Sequence, residues 1–134
     1  MVEVIGPIVL GLIAGALDLF FMVKDESGDA KTVIKHGFGA LVYIIPICFF
    51  AFNLSYLDGL TFIPAILKND IILLAALGLI TAVIAHTKSA LFKGSRGYGS
   101  REKWLHCILV GALVGLAPFI WSYIGESIKG LIKF

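Results

Sequence analysis

Hydrophobic residues along this chain fall into four long runs that are separated by shorter polar stretches. Each run has the roughly 20 apolar residues that a helix needs to cross a bilayer at about 1.5 Å per residue. The runs do not alternate polar and apolar positions, so the pattern favours helices over strands. The predicted helices cover Val4–Val23, Val33–Tyr56, Ile71–Phe92 and Lys103–Ile124.

Short-range signals mark where these helices begin. Proline is tolerated in a first helical turn, and side chains that carry oxygen are preferred just before one. The residues in such positions are Pro7 for the first helix, Asp29 or Thr32 for the second, Asn69 or Asp70 for the third, and Ser100 for the fourth. The sequence therefore predicts an all-α, polytopic membrane protein with four transmembrane helices, arranged as two tandem helical hairpins of the same orientation.

Composition agrees with a membrane location. The chain has 134 residues, of which 59% are hydrophobic and 15% charged, whereas soluble domains have about 45–50% and 25%. This length corresponds to a single domain, residues 1–134. A net charge of +2 without a basic face argues against nucleic acid as a partner, which leaves the lipid bilayer and other membrane proteins.

The distribution of basic residues predicts the orientation. Cytoplasmic loops carry an excess of Lys and Arg. Eight basic residues flank the first and third connections and three lie on the other side. The eight are Lys24, Lys31, Lys35, Lys88, Lys93, Arg96, Arg101 and Lys103, and the three are Lys68, Lys129 and Lys133. We therefore expect loops 24–32 and 93–102 to be cytoplasmic and both termini to lie outside.

Two short phrases recur in the same order and suggest an internal repeat. LGLI occurs at Leu10–Ile13 and at Leu77–Ile80, and GALVxxxP occurs at Gly39–Pro46 and Gly111–Pro118, a spacing of 111 − 39 = 72 residues. The predicted repeat units are residues 4–59 and 71–130. Because each unit has two spans, both copies would enter the membrane in the same sense.

Small residues and prolines predict how the helices pack. Stripes of small side chains let helix backbones approach closely in lipid, and a proline near mid-span bends its helix. The predicted packing residues are Gly11, Gly15, Gly39, Gly111, Gly115, Ser122 and Gly125. Kinks are predicted at Pro46 and Pro118.

Asp18 is the leading candidate for chemistry, because ionisable groups inside a membrane span are costly and usually mark ion or proton paths. It shares a helical stripe with Gly11 and Gly15 and should therefore face the bundle. Aligning the two LGLI copies puts Asp18 at the level of Ala85, next to His86. We expect Asp18 and His86 to pair and to handle a proton or cation, or else to form a structural polar pair.

Other polar residues are secondary candidates. His36 and His106 lie at the cytoplasmic starts of the second and fourth helices, and Asn53 lies in the outer half of the second. Three imidazoles on one side of the membrane suggest the hypothesis of haem, quinone or metal binding. Since their spacing is not that of metal ligands, no metal site and no cofactor are predicted.

The sequence leaves three functions open. It has no GxSxG, no HExxH and no paired carboxylates, so acyl or phosphoryl transfer has no support and an enzymatic function is not favoured. The favoured hypothesis is a small oligomeric transporter or channel that handles a proton, ion or small solute near Asp18. The alternative is a non-catalytic accessory or self-assembling structural subunit of a larger membrane complex. The third hypothesis is a redox carrier built on the histidines.

Overall fold

The helices of this protein are described by a computed structural model over residues 2–25, 30–58, 69–91 and 103–131, together with residue 64. All secondary structure in these ranges is helical. Four helices are long: α1 (Ile5–Asp25), α2 (Ala30–Phe52), α4 (Asp70–Leu91) and α5 (Trp104–Leu131). A single turn, α3 (Ser55–Asp58), follows α2. The connection predicted at 93–102 lies outside the described residues.

Among the described residues, three helices are by length and composition apolar enough to cross a membrane: α1 over Ile5–Lys24, α4 over Asp70–Lys88, and the whole of α5. In α2 the corresponding apolar segment is shorter, Gly37–Phe52. Large apolar side chains cover much of the outside of the bundle, as expected when the solvent is lipid. The most exposed of them include Phe38, Val42, Ile71, Leu79, Leu105 and Tyr123. These features indicate a membrane-embedded helical protein.

The helices are arranged as two antiparallel pairs. Gly11 of α1 lies against Ile45 of α2, and Gly15, one turn further along α1, lies against Leu41, one turn earlier in α2. In the same way α4 runs antiparallel to α5, with Gly78 against the backbone of Gly111. We call α1 and α2 the first hairpin and α4 and α5 the second hairpin.

A shared core joins the two hairpins. Its fully buried side chains come from α1, α2 and α5 and are Ala14, Ala40, Ile44, Cys48, Val110 and Val114. A second cluster at one end contains Leu10, Ala117 and Trp121, and a third at the other end contains Ala82, Ala85 and Cys107. Most side chains at the centre of the core are small, so the helix axes can approach closely. Close packing of this kind holds helices together in lipid, where the hydrophobic effect between helices is weak.

The helix ends differ most from the predicted ones at the C-terminal ends of α2 and α5. Helix α2 was expected to continue to Tyr56, but it ends at Phe52, because the next residue, Asn53, uses its side chain to bind the start of the chain. The membrane span predicted to reach Ile124 continues as helix α5 to Leu131. At about 1.5 Å per residue, its 28 residues reach roughly 42 Å, longer than the ~30 Å hydrocarbon core.

The predicted packing stripe of α5 is used over only part of its length. Gly111 and Gly115 contact the backbone of α4, at Gly78 and Leu74 respectively. Gly125 instead lies under the indole of Trp121 in its own helix. Ser122 is exposed and its hydroxyl donates to the carbonyl of Phe119, 2.6 Å away. The stripe therefore turns away from α4 after Gly115, because a straight stripe cannot follow a neighbouring helix along the full length of α5.

Both mid-helix prolines are accommodated without ending their helices. Pro46 lies inside α2 and Pro118 inside α5. Pro46 is exposed on the outside of the bundle. The bend predicted at each proline stays a prediction.

Candidate functional site

Asp18 lies inside the bundle. Its side chain is only 4% exposed, and its Oδ1 atom has no hydrogen-bond partner among the residues that the structure describes. The helical stripe of Gly11, Gly15 and Asp18 therefore faces protein, as the spacing on α1 predicts. A buried carboxyl oxygen without a donor is unfavourable by about 1–3 kcal/mol, and by more when the group is charged.

The ammonium of Lys88, in the last turn of α4, lies within electrostatic range of Asp18. Lys88 Nζ lies 5.3 Å from the centre of the Tyr43 ring on α2, within the range of a cation–π interaction. The side chain of Lys88 is therefore turned back into the bundle rather than out toward a loop.

Gly39 makes room for this lysine. A Cβ atom added at Gly39 would lie 3.2 Å from both Cε and Nζ of Lys88. Gly39 was predicted to bring two helix backbones together, but its surface is occupied by the end of a side chain from α4. Gly39 and Tyr43 of α2 lie against the end of Lys88 from α4, and Asp18 of α1 is within electrostatic range of that lysine. We call these four residues the Asp18–Lys88 site.

The histidines are packed against aromatic rings. His86, the predicted partner of Asp18, stacks on Trp104 of α5 with ring centres 3.8 Å apart. His106 is buried and stacks on Phe21 of α1 at 4.1 Å. Both imidazoles therefore serve as flat packing surfaces between helices at the same end of the bundle as Asp18. His36 belongs to α2 by its backbone, and its side chain lies outside the described part of the chain.

Within residues 2–25, 30–58, 69–91 and 103–131, no group of three or more His, Cys, Asp and Glu side chains is placed to hold a metal ion. Cys48 and Cys107 are both buried and unbonded to each other, and they belong to different core clusters.

Asn53 links the end of α2 to the residues just before α1. It is buried, and its Nδ2 donates to the carbonyl of Glu3 at 2.9 Å while its Oδ1 accepts from the Glu3 amide at 3.0 Å. Nδ2 also donates to the carbonyl of Phe49 at 2.9 Å. Because both Glu3 groups are backbone atoms, Asn53 recognises the chain just before α1 and fixes it to the end of α2.

Glu3 extends this link to α5. One carboxylate oxygen caps α1 by accepting the amide of Gly6 at 3.1 Å, and the other lies 3.3 Å from Lys129 Nζ. Lys129 Nζ is also 6.0 Å from the centre of the Trp121 ring. The three helices α1, α2 and α5 are therefore tied together at the end of the bundle opposite the Asp18–Lys88 site.

Sequence reasoning missed three of these residues. Lys88 was counted as a loop-flanking charge, although its position four residues from Ile84 in an apolar run could have suggested an inward reach. Gly78 lies within the second LGLI copy, and its equivalence to Gly11 was a signal for close packing. Nothing in the sequence signalled the contacts of Glu3 with Asn53 and Lys129, because these partners are 50 and 126 residues away along the chain.

No known protein family, curated protein or solved structure matches this chain.

Proposed function

We propose that this chain is a small oligomeric membrane transporter or channel in which Asp18 binds a proton, a cation or a small solute. The observation that supports it most directly is the Asp18 carboxyl group, enclosed among helices with one oxygen lacking a donor in the described residues. A side chain kept only for helix register would be expected to have its hydrogen bonds satisfied. A transported proton or cation would supply the missing interaction.

The opposing charge of Lys88 fits a site that loads and unloads. An attractive charge nearby stabilises the empty carboxylate, so the unloaded state does not leave an isolated charge in the bundle. Loading by a proton neutralises Asp18 and weakens its hold on Lys88. Two states that differ in the position of one lysine are therefore available to the site.

Asp18 is enclosed within one protomer. We propose that the path leading to it begins between protomers. The grooves of about 350 and 310 Å³ on the two hairpins are lined almost entirely by apolar side chains, and Asp18 lines neither. A four-helix protomer has little interior room for an aqueous path. The oligomer is accordingly part of the proposal.

The decisive experiment is ion flux into liposomes that contain the purified protein. With a pH-sensitive dye inside and a cation gradient imposed, we expect the Asp18→Asn variant to lose flux by at least about tenfold, because the uncharged amide cannot bind a proton or cation. Asp70→Asn is the matched control, since Asp70 is an exposed carboxylate in the first turn of α4. Flux that is equal in wild type and Asp18→Asn would overturn the proposal.

We also propose that all four long helices cross the bilayer, with loops 24–32 and 93–102 cytoplasmic and both termini outside. Helix α2 has 23 residues, or about 35 Å, and packs against spanning-length helices. In a variant without Cys48 and Cys107, a cysteine at Ser127 should react with an impermeant thiol reagent added to intact cells. A cysteine at Ser95 should react only after lysis, and the reverse pattern would contradict this orientation.

The alternative, an accessory or self-assembling structural subunit, is supported by the apolar groove of the second hairpin. It runs beside Gly78, Gly111 and Gly115 and is open on its outer side. A second copy of this chain would bury that groove. In that case Asp18→Asn would leave the oligomer intact and no flux would be found, whereas Ala112→Trp, which fills the groove, would reduce the oligomer to a monomer in detergent.

A further inference from the structure

The Asp18–Lys88 site already holds a cation, and that cation belongs to the protein itself. The ammonium of Lys88 lies over the face of Tyr43, in space that exists because residue 39 has no side chain. Asp18, buried in the same part of the bundle, lies within electrostatic range of this ammonium. A carboxylate and an aromatic face together are the usual means of recognising alkylammonium and quaternary ammonium ions. The chain thus fills with its own side chain a site whose chemistry suits a separate molecule.

We propose that the Asp18–Lys88 site binds small organic cations of the alkylammonium class, which displace the Lys88 ammonium from the Tyr43 ring. This inference rests on the proposed function in that it names the class of substrate. It requires that one ammonium replace another. Asp18 and Tyr43 remain the binding groups, and the missing side chain at Gly39 leaves room for the bound ammonium.

Exchange of one ammonium for another avoids the main energetic obstacle to binding a charge inside a membrane protein. The net charge of the site is the same before and after exchange, so no additional unpaired charge is buried. Lys88 lies in the last turn of α4, from which its flexible stem can extend toward the headgroup region. The displaced ammonium therefore has a favourable place to go.

A similar set of groups at the other end of the bundle provides a matched control. Glu3, Lys129 and Trp121 also combine a carboxylate, an ammonium and an aromatic ring. That set is open to solvent, with Lys129 and Glu3 side chains 41% and 28% exposed. Because exposed ion pairs are screened by water, we expect no measurable binding of alkylammonium ions there.

Chemical rescue tests the proposal on the purified, detergent-solubilised protein. Lys88→Ala removes three carbons and the ammonium, which propylammonium replaces. We expect the variant to unfold at a lower temperature than wild type and millimolar propylammonium to raise that temperature again. Wild type should need at least about tenfold more propylammonium, because tethered Lys88 competes at a high effective concentration. Lys129→Ala with propylammonium should show no rise.

The carboxylate and the ring are tested in the same background. In Asp18→Asn combined with Lys88→Ala, propylammonium should have no effect on the unfolding temperature. Tyr43→Leu combined with Lys88→Ala should need about threefold more propylammonium, the contribution of a single cation–π contact. Equal rescue with and without Asp18 would overturn the proposal.

A second measurement uses wild type and does not depend on the folding of any variant. Tetramethylammonium, which does not react with acylating reagents, is added while Lys88 is acylated by a membrane-permeant reagent, and the rate is followed by mass spectrometry. We expect displacement to accelerate acylation of Lys88 at least threefold while acylation of Lys129 is unchanged, and an unchanged rate at Lys88 would overturn the inference. Rescue without flux would refute only the transport proposal, and proton flux without rescue or displacement would refute only this inference.

Discussion

Asn53 and Asn69 have the same side chain, but one makes long-range hydrogen bonds and the other makes only local ones. Asn69 accepts hydrogen bonds from the amides of Ile71 and Ile72 at 3.0 and 3.4 Å, so it caps α4 through neighbouring residues alone. Asn53 binds both backbone groups of Glu3, 50 residues away. The first interaction was predictable from sequence, since Asn is a preferred cap. The second depends on which helix ends meet.

Replacing these two asparagines by alanine should therefore have unequal effects. We expect Asn53→Ala to lower the free energy of unfolding by about 2–3 kcal/mol, because it leaves the Glu3 amide and carbonyl without partners in a partly buried place. Asn69→Ala should cost about 1 kcal/mol, the usual value of an exposed cap. Unfolding by sodium dodecyl sulfate in mixed micelles measures both. Equal losses would show that the contact between Asn53 and Glu3 contributes little.

Asp18 illustrates a limit of sequence reasoning at the residue scale. Its burial followed from helical periodicity, but its partner did not. His86 was favoured because it lies at the same depth on α4, whereas the charge that acts on Asp18 comes from Lys88, two residues later. A lysine side chain extends about 6 Å from its backbone, so depth along a helix does not fix where its charge lies. His86 packs on Trp104 instead.

Helices α4 and α5 approach so closely that their backbones touch. A Cβ atom at Gly111 would collide with the carbonyl oxygen of Gly78 and come within 3.0 Å of the Ala82 side chain. These obstacles are backbone or short side chains, which cannot move aside as the end of a long side chain can. The contact between Gly78 and Gly111 therefore sets the spacing of the second hairpin.

Gly111→Ala should separate these helices and lower the free energy of unfolding by about 1–3 kcal/mol, the range for overpacked interiors. Gly130→Ala in the same helix is the control, since nothing lies within 4 Å of its added methyl group. It should be neutral or stabilising by up to about 1 kcal/mol through helix propensity. The comparison is made by denaturant unfolding in micelles, and a neutral Gly111→Ala would mean that the two helices are free to shift.

The packing contacts of the two hairpins are not spaced along the chain as the repeated phrases are. The close contacts are Gly11 with Ile45 and Gly15 with Leu41 in the first hairpin. In the second, Gly78 lies closest to Gly111 and next to Gly115, and Ala82 lies against Gly111. Ile45 and Gly115 are 115 − 45 = 70 residues apart, whereas the two GALVxxxP phrases are 72 apart. A shift of two residues turns a helix by about 200°. The phrases therefore lie on different faces of α2 and α5, and the duplication stays a prediction.

At the scale of the whole molecule, a single layer of small and branched side chains holds the hairpins together. Ala14, Ala40 and Ile44 of the first hairpin contact Val110 and Val114 of the second, and all are fully buried. The described ends are tied by more polar contacts, through Lys88 at one end and through Glu3 with Lys129 at the other. Packing in this central layer therefore joins the two hairpins.

Truncation at this centre should be far more costly than truncation on the outside. Ile44→Ala is expected to destabilise the protein by about 2–4 kcal/mol through the cavity it leaves among three helices. Val42→Ala, two residues earlier in α2 but 76% exposed, should change stability by less than about 0.5 kcal/mol. Both are measured as free energies of unfolding in micelles. A small loss at Ile44 would indicate that the hairpins are joined mainly by their polar ends.

The sequence by itself determined the all-α class, the positions of the long helices and the buried face of α1. These follow from hydropathy, capping residues and the 3.6-residue period, all of which act over short distances along the chain. The tertiary structure alone decided that Lys88 accompanies Asp18, that Gly39 admits it, and that Asn53 binds Glu3. Each of these depends on the relative placement of helices far apart in sequence, which hydropathy leaves open because every face of a membrane helix is apolar.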